Sequence, residues 1–496
     1  GTINSVGGIV RFSGNVDNSA QTLSDTVIGR IQLLSGTITG GVIDAGVYGL
    51  TTAPSPTAPG RANATLAGVQ VVGEITVRTG GDLSLVDVNL TNNQTITIGD
   101  YPLDPDNDGQ TGLLFPGTQT LGGIREIIFN ARPDTSSQSV WGASIRPVGG
   151  TLTLGPNVTV RNVSGGGIIG DSDLPFVNQG LISAEVAGEK IRFDGETFIN
   201  EGTIQSIAGA ELSGWQVVNH GTINAMGPLT LNIFENHGDI ESWDWMVVDG
   251  IWSNYGTITA HDDLEIKTFP TNMGTIILDN AEIHLRARTT TAYLEDFIAL
   301  GASNVRMLKG SRIDNTGDSL HFSYSEPDIS LVTQGEIVGG VITADSDYVL
   351  TAINQSLLRD VVIASDVQID GRGAILDGIV NQHTMTFGYG SYPRFRGSWK
   401  NEGVMILADG EWFEIESDNA NVEWINTGRI EVSDALVRIN HGSNHVGTFD
   451  LADCVMEFEQ AVTLGGEGEI IFGGDQNANK VVLPYDDVLT IGAGLM

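Results

Sequence analysis

Asp104-Pro105-Asp106-Asn107-Asp108-Gly109 is the sharpest local pattern in this 496-residue chain that could do chemistry. Carboxylates at alternate positions followed by glycine match the opening of a calcium loop. Hard oxygen ligands converge there because the glycine lets the backbone turn sharply. The twelfth position of an EF-hand loop is glutamate; here it is Phe115, and the flanks do not read as helices. The segment is therefore expected to hold calcium through Asp104, Asp106 and Asp108 as a short acidic loop, with a solvated turn as the alternative.

Other residue types invite other chemistry. Bond hydrolysis in a sugar polymer needs two carboxylates flanking the scissile bond, and Asp262-Asp263, Asp171/Asp173 and Glu241/Asp244 are close in sequence. In a chain with 61 acidic residues such proximity carries little weight, and catalysis is not expected. His220 and His237 occupy the same slot of successive repeats, with Glu201 and Tyr255 in neighbouring ones. They read as turn residues facing water, with metal binding as the alternative. Tyr389, Tyr392, Arg394, Phe395, Arg396 and Trp399 form the one basic-aromatic cluster. It could dock a glycan or an acidic partner, or be an ordinary packed loop. No phosphate-cradling Gly-x-x-x-x-Gly-Lys, CxxC or HExxH phrase is present, and Gly165-Gly166-Gly167 lacks the βαβ context of a dinucleotide site.

The elements that must position these groups come from a repeat. Phe176-Val177-Asn178-Gln179-Gly180 returns as Phe198-Ile199-Asn200-Glu201-Gly202-Thr203-Ile204, Val217-Val218-Asn219-His220-Gly221-Thr222-Ile223 and Phe234-Glu235-Asn236-His237-Gly238-Asp239-Ile240. Trp252-Ser253-Asn254-Tyr255-Gly256-Thr257-Ile258 and Pro270-Thr271-Asn272-Met273-Gly274-Thr275-Ile276 follow, so the asparagines step by 22, 19, 17, 18 and 18 residues. Units this short cannot bury an apolar face alone and must stack. The alternation in Leu229-Thr230-Leu231-Asn232-Ile233 is that of strands. The expected fold is all-β, a single-chain parallel β-helix or β-solenoid, right-handed favoured, of about 17–25 residues per coil. Roughly two dozen coils would stack about 4.8 Å apart. Asn178, Asn200, Asn219, Asn236, Asn254 and Asn272, with Asn401 and Asn426 of later phrases, are expected to form amide ladders from coil to coil. The glycine two residues on is expected to supply a positive φ at the turn. The aromatic two residues before asparagine is expected in the core, with offset stacking.

A larger period overlies the short one. Gly36-Thr37-Ile38-Thr39-Gly40-Gly41-Val42-Ile43 matches Gly335-Glu336-Ile337-Val338-Gly339-Gly340-Val341-Ile342, and Val16-Asp17-Asn18-Ser19 matches Ile313-Asp314-Asn315-Thr316. Residues 1–300 therefore read as one module with loop insertions near 53–64, 101–116 and 132–141. Residues 301–496 read as a truncated second copy, continuous with the first. The opening Gly1-Thr2-Ile3-Asn4 reads as the tail of a phrase, as in a processed precursor or a slice of a longer array.

The formal net charge of −37 makes nucleic acid an unexpected partner, since phosphate binding needs a basic face. No apolar run is long enough for a membrane-spanning helix, so membrane insertion is not expected. Cys454, the single cysteine, excludes an internal disulfide and reads as a buried strand residue.

The Asn-x-Gly-Thr-Ile phrases and Leu152-Thr153-Leu154-Gly155-Pro156-Asn157-Val158-Thr159-Val160 resemble the large repetitive β-solenoid proteins of bacterial cell surfaces, adhesin-like or autotransporter-passenger-like. The acidic loop resembles the calcium loops of extracellular repeat proteins. The resemblance covers most of the chain and its motifs are architectural. It implies extracellular or cell-surface display and a structural role: a surface filament or coat whose protomers self-associate head to tail. The alternatives are a glycan- or host-binding adhesin and a polysaccharide hydrolase or lyase. The β-helix hydrolases that degrade pectin carry an Asp pair, a Gly-His-Gly and an Arg-Ile-Lys; only the Asp pair has a counterpart here.

Overall fold

Short strands with every second residue apolar can bury that half only by stacking, and this chain does so across its described residues. The computed structural model describes residues 8–52, 62–100, 111–130, 142–269, 271–272, 274–279, 281–298, 304–323, 328–331, 334–345, 348–408, 412–416, 424–440, 443–458, 460–475, 479–483 and 488–496. The fold is a parallel β-solenoid of about 19 turns with about 21 residues per turn. That is fewer turns than two dozen, because some coils are wide. Ile96 pairs with Ile127 and Ile127 with Val160, spacings of 31 and 33, whereas Ile223 pairs with Ile240 at 17. Two compact units are distinguished: Gly1–Asp263 with Pro270–Ile277, and Leu264–Phe269 with Leu278–Met496.

In the repeat tract of the first unit a coil contains three strand segments, such as Leu181–Ala184, Lys190–Gly195 and Phe198–Asn200. In the shorter coils the last two fuse and bend where the backbone turns left-handed, at Gln216 (φ 52°) and Ile233 (φ 49°). Neighbouring coils pair in parallel and in register. Ile182, Ile204, Ile223, Ile240 and Ile258 form one inward column, and Phe176, Phe198, Val217, Phe234 and Trp252 another. All ten are buried. Phe176 and Phe198 stack at 5.1 Å between centroids, as do Phe234 and Trp252, so the aromatic slot is core as expected. Of the expected insertions, residues from Ala62 and from Thr111 belong to coil strands; the rest of those two, and the one near 132–141, lie outside the described residues.

The second unit stacks the same way. Ile337, Leu358, Leu376, Phe395, Ile415, Ile439 and Phe458 are successive register partners inside it, all buried. Trp399 and Trp424 stack at 5.3 Å. A helix of about two turns, Thr291–Ile298, is tied to a coil by a 2.6 Å bond from Thr291 Oγ1 to Asn315 Oδ1. The echo near 300 residues in the sequence is also an echo in geometry. Asn18 and Asn315 are buried corners whose amide nitrogens bond the carbonyls of Gly40 and Val42, and of Gly339 and Val341, at 3.0–3.3 Å. Gly41 and Gly340 both have φ 68°.

The phrase glycines correct one expectation. Gly202, Gly221, Gly238 and Gly256 do not have positive φ. They sit one above another, and a Cβ on any of them would land on the carbonyl oxygen of the glycine one coil before. The requirement is close approach of backbone to backbone. Gly221→Ala is therefore expected to destabilise the protein by about 1–3 kcal/mol, the cost of overpacking. Gly122→Ala, at a glycine with open space around its Cβ position, should change stability by less than about 0.5 kcal/mol. Urea unfolding of both variants measures the contrast.

One buried carboxylate gives a pH dependence. Burial pushes the Asp100 carboxyl up, but bonds from Thr79 Oγ1 (2.6 Å), Arg78 Nε (2.7 Å) and the Thr79 amide (3.1 Å) outweigh it and hold it below the ordinary aspartate value. A depressed folded-state pKa means a contribution that is whole above the unfolded value and is lost as pH falls through the folded one. Asp100→Asn should cost about 2 kcal/mol near neutrality. The gap between variant and parent should close only well below an ordinary aspartate pKa of about 3.9.

Candidate functional site

The asparagine slots assemble a buried side-chain array. Nδ2 of Asn178 donates to Oδ1 of Asn200, Asn200 to Asn219, Asn219 to Asn236 and Asn236 to Asn254, each at 2.8 Å. All five side chains are buried. The geometry follows from the turn: the Asn200 carbonyl accepts the amides of His220 (2.8 Å) and Gly221 (2.9 Å) in the next coil, which fixes the height between coils. Asn272 pairs with Asn254 in the strand ladder, but its side chain lies outside the described residues. In the second unit Asn401 donates to Asn426, and Asn381, which the phrase search passed over, donates to Asn401, both at 2.8 Å. Asn381 is followed by Gln382-His383 with no glycine two residues on, so it lacked the signal.

The surface candidates divide. Asp104, Asp106 and Asp108 lie outside the described residues. His220 and His237 stack at 4.8 Å, and His237 stacks on Tyr255 at 4.9 Å. These rings are exposed at their edges and meet one another through their faces, as turn residues in register do. His237 also meets Glu235 at 2.5 Å. Among the carboxylate pairs, Asp262 accepts the Asp263 amide at 2.8 Å and Asp244 accepts the Trp245 amide at 2.7 Å. Glu241 meets His261 at 3.1 Å.

The basic-aromatic cluster is taken apart by the coil. Phe395 points inward and Trp399 stacks in the core, while Tyr389 is 87% exposed and Tyr392 half-buried beside Trp412. Arg394 pairs with Glu414 (3.4 Å) and Glu416, and Arg396 with Glu416. They belong to a ladder of alternating charge on one face: Arg312, Glu336, Arg359 and Asp377 follow at 3.1–4.0 Å, and Arg438 bridges Glu414 and Glu457. The guanidinium groups thus meet carboxylates of their own chain. Cys454 is fully buried, its thiol pushed up by burial.

An open site that sequence reading missed lies on the outer face of the first unit. Strands Ala143–Val148, Gly167–Asp171 and Lys190–Gly195 pair side by side, with Ser144, Ile168 and Arg192 level with one another, and Gly170 level with Asp194. Arg146 follows Ile145, the partner of Ile169, and so stands beside Gly170. Gly170 has φ 102°, and a Cβ there would overlap the Asp194 carbonyl. Beside it lies a notch of about 170 Å³ whose polar lining is Ser144, Arg146, Asp171, Ser172, Arg192 and Asp194. Arg192 is held by Asp194 at 2.5 Å. Half-buried Arg146 makes no hydrogen bond or ion pair among the described residues, and its Nε is fully enclosed. Of the sequence pair Asp171/Asp173, Asp171 accepts the Asp173 amide at 3.2 Å and also lines this notch with arginines that lie 25 and 21 residues away. No helix among the described residues is long and apolar enough to cross a membrane.

Compared with known proteins, the chain matches no family model, no curated protein and no solved structure. The class that the coordinates define is the parallel β-solenoid.

The ladder has a stability consequence. Asn219→Leu removes two amide bonds and leaves buried polar atoms on both neighbours, and should cost about 2 kcal/mol or more. Asn178→Leu, at the first rung with one such bond, should cost less. Chemical denaturation of the two variants ranks them.

Proposed function

We propose that this protein is an extracellular structural β-solenoid, a protomer of a bacterial surface filament or coat that assembles head to tail. One observation carries the reading. The coil's inward polar and aromatic side chains, from Asn178 to Asn254 and from Asn381 to Asn426, are completed only by the coil above and the coil below. A coil without a neighbour leaves unpaired strand edges and open core, which invite another stack. Strand edges of this kind occur among the described residues: Lys480–Val482 and Leu489–Ile491 each pair on one side, and Val481 and Ile491 are 49% and 60% exposed. A contact of one end with the other propagates into a filament instead of closing. Calcium at Asp104, Asp106 and Asp108 belongs to the same proposal, as a hard cation tying an acidic loop.

The purified chain is expected to form concentration-dependent fibres in electron micrographs with calcium present. Val481→Lys with Ile491→Lys should block them, because a buried unpaired charge at the joint is costly. A parent chain that stays monomeric in sedimentation at high concentration, with and without calcium, would remove the filament reading.

A second reading, a glycan-binding adhesin, is favoured by the notch at Gly170, where a guanidinium without a partner stands among hydroxyl and carboxylate groups. Structural display and adhesion are compatible, since a repeat scaffold carries its binding groups on its outer faces.

A further inference from the structure

We infer that the notch at Gly170 binds one carboxylated sugar residue, a uronate, of an acidic glycan, with Arg146 holding the carboxylate. The inference rests on the glycan-binding reading and deepens it by naming the site and the ligand class.

Charge comes first. The chain has 24 basic residues against 61 acidic ones, and most of its described arginines meet a carboxylate. Arg146 does not, although three strands and the Asp171–Leu174 turn surround it. A half-buried guanidinium without an anion has lost water and gained nothing in return, so the site favours an anionic group from outside. The planar fork of arginine suits a carboxylate through two parallel bonds.

The rest of the lining decides what carries that anion. A bare ion would gain from Arg146 and meet the repulsion of Asp171 and Asp194. A ring bearing hydroxyls beside its carboxylate gives those acceptors donors, and offers acceptors to exposed Ser172. Asp194 already holds Arg192, and Asp171 Oδ1 accepts the Asp173 amide at 3.2 Å, so both carboxylates are fixed in place before a ligand arrives. Fixed partners lower the ordering cost of binding. The volume, about 170 Å³, is below the roughly 300–1,000 Å³ of sites that enclose a whole drug-sized ligand. One ring fits a notch of that size, and the open outer face lets a longer glycan run on past it. The net charge of −37 opposes a polyanion at long range, but at physiological salt that field fades beyond about 8 Å. Recognition is therefore local to the notch.

The test uses the full chain and two small probes that differ in one group, methyl glucuronoside and methyl glucoside, followed by saturation-transfer NMR and titration. The glucuronoside is expected to bind at least about tenfold more tightly than the glucoside, and Arg146→Gln to lose about tenfold or more of that affinity. Thermal unfolding of the variant should match the parent, because Arg146 makes no bond within the described fold. Equal binding of both probes, or unchanged affinity in Arg146→Gln, overturns the inference. Inorganic sulfate or glycine competing as well as the glucuronoside overturns it too, in favour of a plain anion site or a zwitterion site. A glycan array separates the two levels of the argument. Array binding that survives Arg146→Gln removes this site and leaves the adhesin reading standing; a parent chain that binds neither probe nor array removes both.

Discussion

The vertical hydrogen bond between a buried asparagine and the asparagine one coil away is the constraint on which the rest of this structure depends. An amide has two donors and an acceptor with two lone pairs, and burying it without partners costs several times what a made bond contributes. Asn200 uses both donors and its acceptor oxygen. It accepts from Asn178, donates to Asn219, and donates again to the Thr222 carbonyl at 3.2 Å. The bond works only if every asparagine stands at the same height and azimuth in its coil. That fixes coil spacing, turn geometry and the column of isoleucines beside it.

The glycine column is the other half of the same constraint. An asparagine ladder at 2.8 Å draws the turns together, and the turns can meet only where there is no Cβ. The pairing Asn-x-Gly is thus one device, a polar clamp and the space it closes into. Where the chain departs from it, as at Asn381-Gln382-His383, the clamp persists. Gly403 in the following coil then lies against the His383 carbonyl. Two coils therefore need one glycine between them.

This explains how much was legible from sequence. Phrase spacing locates strands, ladder and aromatic core, because all three are set by register along a period that the sequence repeats. The reason for the glycine was not legible, since positive φ and close approach select the same residue and only coordinates separate them. Inward polar positions outside the asparagine phrases were not legible either. Arg125, level with Gln94 and Val158, points into the core, where burial lowers its pKa; nothing in Arg125-Glu126-Ile127-Ile128-Phe129 says which half of the alternation faces in. The basic-aromatic cluster divides for the opposite reason. Residues adjacent in sequence alternate between core and surface in a strand, so Phe395 turns inward while Arg394 and Arg396 share the outer face.

A solenoid also changes where a binding site can come from. In a globular enzyme, chemistry collects in a cleft between elements of unlike shape. Here each outer face is a lattice of side chains two residues apart along a strand and one coil apart across it. A site on such a lattice is made by a defect: a missing side chain, a bulge, or a charge left out of the pairing. Arg146 is the third kind, and it lines a notch beside Gly170. The charge ladder on the second unit shows the ordinary lattice, in which Arg359 lies between Glu336 and Asp377 and no guanidinium is spare. A repetitive surface keeps its charges in balance because each coil supplies the partner of the last. An unbalanced charge beside a gap breaks that order, and the break is where a ligand can supply what the neighbouring coil does not.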